Sequence, residues 1–350
     1  MSIIVPSYAY TYIKIGVLKK IIIPLDDLDK LEKSEKIEDL IDIIKPYYPS
    51  LEIQKYTIVN IEKKIYNIYI KLIGKIISYS PMNLRNFLQD YLLKYEIMNL
   101  KQIISGIILG LDLEEKRNNI NFLVQDFLDR EEFMTDLLKL SSLEELRLSL
   151  RNTRYYKSVR EGILYFRNNK EIFVLESFLD QLYYQNLVRE RKNLSTLERK
   201  MIILFTHYIT EIYNIKIIYR GILNKVDRNL LSQFLVEGPI FLDMDDLNSL
   251  LNQSNVEDFF TLLNSMLKED PDLKMLYKEI SQKMEHPIWE IEKIYQKFYF
   301  SKFKLKPDKI SLSTLYRIFE LIIKKDKEIQ FEIIPNVVRI LHKKFKIFEK

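Results

Sequence analysis

The sequence predicts an all-α fold of three similar helical units, and three observations predict it. Glycine is scarce at 7 and proline at 10 of 350 residues, so few turn residues are available to punctuate a sheet-rich chain. Apolar residues recur at helical spacing, a stronger signal than the modest helix propensity of the many Ile and Tyr. One long segment is also written three times: residues 87–110 (FLQDYLLKYEIMNLKQIISGIILG), 205–224 (FTHYITEIYNIKIIYRGILN) and, more eroded, 319–338 (FELIIKKDKEIQFEIIPNVV). Phe87, Phe205 and Phe319 open the copies, 118 and then 114 residues apart. Eight residues later stand Tyr95, Tyr213 and Lys327, then Glu96, Asn214 and Glu328, then Ile97, Ile215 and Ile329. Solenoid repeats run to about 50 residues at most, so this period reads as a small domain used three times. The units are taken as 1–110, 111–224 and 225–350, with the first and last helices able to complete one unit between them.

In chain order, residues 8–23 read as an amphipathic helix stopped by Pro24, which removes a backbone donor and restricts its predecessor. Two short helices follow, with Leu25, Leu28 and Leu31 on one face and Ile37, Leu40, Ile41 and Ile44 on another. This pair recurs at 130–150 and 242–263. Acidic doublets start each helix of each pair: Asp26-Asp27 and Glu38-Asp39, Glu131-Glu132 and Glu144-Glu145, Asp245-Asp246 and Glu257-Asp258. Carboxylates favour the positive end of a helix dipole, and Ser142 to Glu145 and Ser254 to Glu257 have the capping-box spacing. A third shared helix carries Glu62, Glu176 and Glu292, each followed by aromatics suited to packing helix on helix.

The longest helices are then expected at 83–109, 195–223 and from 311 toward 344. Ser195 and Glu198 form another capping box, Gly106, Gly110 and Gly221 suit left-handed helix ends, and Pro335 is expected to kink or end the third copy. Weakly patterned boundaries fall at 111–121, 167–170 and 303–308.

The chain lacks the motifs of most catalytic classes. Lys+Arg number 54 against 49 Asp+Glu, a net charge of +5 that reads as a mixed solvated surface or, alternatively, one that meets an acidic partner or membrane surface. Zero Cys removes disulfides and thiolate metal sites and suits a reducing compartment. No stretch reaches about 18 uninterrupted apolar residues, so no bilayer span is expected, and residues 2–5 are too short for a signal peptide. Gly74-Lys75 lacks the glycine run of a phosphate loop, and His207, His286 and His342 form no H-E-x-x-H or triad. Asp243 to Asp246 resembles the start of a calcium loop, but Asn248 and Ser254 stand where glycine and a bidentate Glu belong. It reads as a charged helix start. The run Lys302, Lys304, Lys306 and Lys309, with Phe303 and Leu305, reads as a solvated connector or, alternatively, a contact for phosphates or acidic lipid head groups. The expected catalytic, cofactor and metal site is therefore none. The singled-out residues are the repeat-defining Phe87, Tyr95, Glu96, Phe205, Tyr213, Phe319, Glu328, Glu62, Glu176 and Glu292.

Residues 95–101 (YEIMNLK) match a Y-[DE]-[IV]-x-N-L-K run, and Leu175-Glu176 through Leu179-Asp180 to Tyr183-Tyr184 an L-E-x-x-L-D-x-x-Y-Y run, found in the C subunit of archaeal and bacterial V/A-type ATPases, the counterpart of the vacuolar enzyme's d subunit. Tyr8-Ala9-Tyr10 with Lys14, and Val236-Glu237-Gly238, add to the order. The chain resembles that family over nearly its whole length. It departs at Lys14 and Gly16, where the family has arginines, at Glu237-Gly238 in place of Gly-Gly, and at Phe331-Glu332 in place of Asn-Leu. The resemblance implies a pseudo-threefold helical funnel that couples the shaft of D and F subunits to the membrane proteolipid (c/K) ring. It implies no small-molecule substrate, cofactor or nucleic acid, and a cytoplasmic place peripheral to the membrane. Two other readings stay open: a helical interaction scaffold contacting nucleic acid through surface lysines, and a helical carboxylate enzyme, which would need Glu-x-x-His pairs that the chain lacks.

Overall fold

A computed structural model describes residues 8–189, 195–284, 286–302 and 309–348, with side chains as far as His342. The basic run at 303–308, the boundary there and the residues before Tyr8 lie outside this set. Every regular element among the described residues is helical, and none is a strand.

The first helix, Ala9–Leu18 (α1), passes into a 3-10 turn, Lys19–Ile21, so it ends short of Ile23. Ile22 is already extended at ψ 131, and Pro24 holds its own predecessor out of the helical region. The short pair Leu25–Lys33 (α2) and Ile37–Ile44 (α3) follows, then Ile58–Tyr79 (α4), capped by Thr57, and Met82–Ile108 (α5). Beyond Gly110, Leu113–Asn119 (α6) lies within the weakly patterned stretch 111–121, and Phe122–Leu128 (α7) follows it. Asp112 and Glu115 close a capping box there. The second pair is Glu131–Leu138 (α8) and Leu143–Ser149 (α9), followed by Tyr156–Asn169 (α10), Ile172–Leu187 (α11) and Thr196–Leu223 (α12). After Arg228–Ser232 (α13) the third pair is Met244–Leu251 (α14) and Val256–Glu269 (α15). Pro287–Lys302 (α16), Ile310–Lys327 (α17), a π-helical segment Glu328–Ile333 and Ile334–Phe348 (α18) complete the chain.

All six acidic doublets lie in the first turn of a helix. The capping boxes at Ser142 and Ser195 are formed. That expected at Ser254 is displaced by one residue, because Asn255 takes the cap and its Oδ1 accepts from Asp258 N at 2.9 Å. Asn is as good an N-cap as Ser. Of the glycines expected at helix ends, only Gly110 is left-handed, at φ +68. A Cβ on Gly221 would sit 2.3 Å from the Leu231 side chain, and one on Gly106 2.6 Å from Lys116, so these two permit close packing instead. Pro335 does not stop the chain. The helix widens to π geometry just before it, a local adjustment of the ladder that goes with the backbone donor proline lacks. Leu25, expected on an apolar face, is 78% exposed, whereas Leu31, Ile37, Leu40 and Ile44 are fully buried.

The chain packs as two compact units. One holds the described parts of residues 1–92, 121–129 and 305–350, the other those of 93–120 and 130–304, and the division falls within α5. In the first unit α1 lies on α17 and α4, and α18 on α3 and α4. Ile15, Ile65, Ile73, Leu315 and the edge-to-face pair Phe87 and Phe319, 5.9 Å apart, fill its core. The Phe127 ring occupies the space beside Gly74. In the second unit α12 is central, packed by α11, α13, α14, α15 and α16, while α10 pairs with α11. Phe205 and Tyr208 meet Tyr295 and Tyr299 there. Burying each large apolar side chain stabilises by roughly 1.5–3 kcal/mol, and ring pairs add about 0.5–1.5 kcal/mol. Helix α12 is long and apolar enough to cross a membrane, yet 72% of its apolar window is buried within the fold.

Candidate functional site

Buried polar residues at the repeat positions of the long helices act alike, each holding the segment that leads toward a short-helix pair. In the second copy, Asn214 on α12 behaves like a strand edge. Its Nδ2 donates to Val236 O at 2.8 Å and its Oδ1 accepts from Val236 N at 3.0 Å. Tyr213, next to it, donates to Phe234 O at 3.1 Å and is stacked by Tyr184 with centroids 4.1 Å apart. One turn earlier, Glu211 accepts from Ile240 N at 2.5 Å, from Phe241 N at 3.2 Å and from the Tyr295 hydroxyl. His207 meets Pro239 O through Nδ1 at 3.3 Å. Residues 207, 211 and 214 are spaced i, i+4, i+7 and so lie along one face of α12. The irregular strap from Gln233 to Asp243 is thereby tied to a single helix face, and α14 begins as it ends.

The same logic appears in the third copy with different chemistry. Glu328 Oε1 accepts from Ile23 N at 2.8 Å, and Oε2 accepts from Lys325 Nζ at 2.8 Å. Lys325 is 0% exposed, donates to Ile21 O at 2.5 Å and Tyr47 O at 3.3 Å, and lies 3.7 Å over the Tyr48 ring. This cluster fixes the entry to α2 at Pro24. In the first copy Glu96 is fully buried and accepts from Arg130 Nη1 at 2.7 Å and from the Tyr155 hydroxyl. Arg130 is the residue before α8. Glu96, Asn214 and Glu328 therefore hold the approaches to the second, third and first pairs.

Burial governs the electrostatics here. Desolvation pushes the Glu211 carboxyl up to about 7 despite its hydrogen bonds, and the Lys325 ammonium down to about 8 despite Glu328 beside it. Glu328 is raised by the same loss of water, and His207 is lowered by burial, opposed by Pro239. A charge in a low-dielectric setting disfavours itself unless paired.

The two matched runs also meet: Lys101 Nζ donates to both Asp180 oxygens at 2.7 Å. The remaining repeat-defining residues differ. Tyr95 is buried, Glu62 is half-buried with its carboxyl raised by desolvation, Glu176 is half-buried, and Glu292 is buried in an ion pair with Lys216. Periodicity does not single out Glu211, Lys325, Arg130 or Tyr155. The signal available for the first two is a charged residue at the same offset, three before Asn214 and Glu328.

Two shallow hollows flank the strap, one of about 480 Å³ lined by His207, Gln185 and Leu235 to Pro239, the other of about 280 Å³ reaching Asn214 and Asp243. Asp243 caps α14, accepting from Asp245 N and Asp246 N at 2.9 Å. Among the described residues no three His, Asp or Glu side chains converge to hold a metal ion.

A family model described as ATP synthase (C/AC39) subunit matches residues 14–330. The A-type ATP synthase C subunit of Methanocaldococcus jannaschii is 24% identical over 250 residues, 70% of this chain and 60% of that protein. Those of Methanosphaera stadtmanae and Methanococcoides burtonii are 22% and 25% identical, over 54% and 51% of this chain and 51% and 47% of theirs. The chain thus spans about half to three fifths of the length of the relatives it matches.

Proposed function

Because this chain belongs to the ATP synthase (C/AC39) subunit family, we propose that it is a non-catalytic central-stalk rotor subunit of a V/A-type rotary ATPase. In this reading it joins the shaft of D and F subunits to the membrane proteolipid ring and transmits torque for ATP-linked H⁺ or Na⁺ transport. Three helical units around a pseudo-threefold axis, forming a funnel that receives the shaft end, are the architecture that goes with that role. The protein then sits on the cytoplasmic side, attached to the membrane through the ring.

The observation that carries the reading is the family match over residues 14–330. The use made of the buried charges supports it. Glu96, Glu211, Lys325 and Glu328 are spent on backbone segments and neighbouring side chains. Such stitching resists relative movement of helix and strap, as a torque-bearing part requires. The test is co-expression of the tagged chain with the D and F subunits and, separately, with the ring. Recovery of a stoichiometric complex with D and F is expected. Failure to retain either partner, together with tight salt-sensitive binding to RNA or DNA, would replace this reading with the scaffold alternative.

A further inference from the structure

The second unit also carries a hollow beside the Glu96 cluster. It lies between the start of α8 and the turn that leads into α10, has a volume of about 370 Å³, and is lined by Arg130, Phe133, Asn152, Thr153, Arg154 and Tyr155. Its floor is rigid. Glu96, fully buried, takes Arg130 Nη1 at 2.7 Å and the Tyr155 hydroxyl, while the Phe133 and Tyr155 rings stack 6.4 Å apart at 22°. The Arg130 side chain keeps 32% of its surface open.

The surroundings are basic in a selective way. Arg147 and Arg167 are both paired with Glu144, and Arg160 with Glu161. Arg151, Arg154 and Lys157 are exposed and form no ion pair among the described residues. Glu131 and Glu132 follow Arg130 on α8 but do not line the hollow.

We propose that this hollow docks an acidic segment of a partner protein, an Asp or Glu carboxylate seated between Arg154 and Arg130 and the adjacent apolar side chain resting on Phe133. A guanidinium is a planar fork matched to a carboxylate, and Arg130 is already held in place, so little side-chain entropy is lost on binding. A nucleic-acid backbone would need a track of unpaired cations along a groove, whereas Arg154 is the one lining residue of the hollow with a charge not already paired among the described residues, Arg130 being held by Glu96. The inference rests on the proposed function only for the source of the segment, another subunit of the assembly.

The test is fluorescence anisotropy of the full-length chain with a labelled short peptide alternating Glu and Leu, beside the same peptide with Gln for Glu. Arg154→Glu is expected to weaken binding of the Glu peptide about tenfold or more, Arg154→Gln less, and Phe133→Ala several-fold. Lys71→Glu, the same charge change on an exposed position of α4, is expected to leave it within twofold. Equal weakening by Lys71→Glu, or equal binding of the Gln peptide, overturns the proposal. So does Arg154-dependent binding of phosphatidylglycerol vesicles or a single-stranded oligonucleotide in the absence of any for the peptide. No rotary subunit is present in this titration, so its failure leaves the co-purification result standing, and the reverse also holds.

Discussion

The clusters at Glu211 in one unit and Lys325 in the other occupy the same place in the repeat, three residues before Asn214 and Glu328, yet carry opposite charge. Glu211 holds its strap by accepting from Ile240 N and Phe241 N; Lys325 holds its segment by donating to Ile21 O and Tyr47 O. An exposed backbone offers donors and acceptors alike, so either sign of side chain can fasten it. The position keeps its role while its chemistry inverts. In the first copy the equivalent residue is Leu93, buried and apolar, and the fastening falls to Glu96 with Arg130.

The largest effects should come from breaking either cluster. Lys325→Met strands Glu328 in the interior and should cost about 3–5 kcal/mol, since removing one member of a buried pair leaves an uncompensated charge. The double change Lys325→Met with Glu328→Gln should recover much of that in a denaturation double-mutant cycle. Glu211→Ala orphans two backbone amides and the Tyr295 hydroxyl, and roughly 2–4 kcal/mol is expected from the same unfolding curves.

The pH dependence separates Glu211 from Lys325 by sign. The fold raises Glu211 from 4.5 to about 7, so its contribution is complete below pH 4.5 and is lost as pH rises through about 7. It lowers Lys325 from 10.5 to about 8, so that contribution is complete above 10.5 and is lost as pH falls through about 8. Each amounts to a few kcal/mol at about 1.4 kcal/mol per unit. Stability should therefore dip between the two windows. In urea titrations across pH, Glu211→Gln should flatten the acid-side slope and Lys325→Met the alkaline one; identical profiles for both variants would erase the distinction.

Smaller changes probe the fit of the strap. Asn214→Leu loses both bonds to Val236 and should cost about 2 kcal/mol. Gly221→Ala forces a Cβ against Leu231 and should cost about 1–3 kcal/mol by overpacking, with a lowered thermal midpoint as the readout.

Much of the helical order is legible in the residues. Acidic doublets and capping boxes place helix starts because they answer a local need, the unpaired amides of a first turn. Tertiary fastening is less legible. Asn214 and Glu328 stand out only by alignment with Glu96, and nothing local marks their partners Val236 and Ile23, which are backbone groups 22 and 305 residues away. Helices α7, α10 and α13 leave no clear mark in the sequence pattern. Two of these have seven residues or fewer, too few turns to display a period. At Gly106 and Gly221 the missing Cβ is plain from the residue type, but not the side chain that takes its place.

The most direct measurement is ion pumping by the reconstituted rotary complex assembled with and without this chain, followed beside ATP hydrolysis by the same preparation. Omission is expected to abolish ATP-driven ion transport while hydrolysis by the soluble sector continues, and adding the purified chain to restore coupling. Transport that is unchanged without it, or nucleotide hydrolysis by the chain alone, would rule out a passive coupling role.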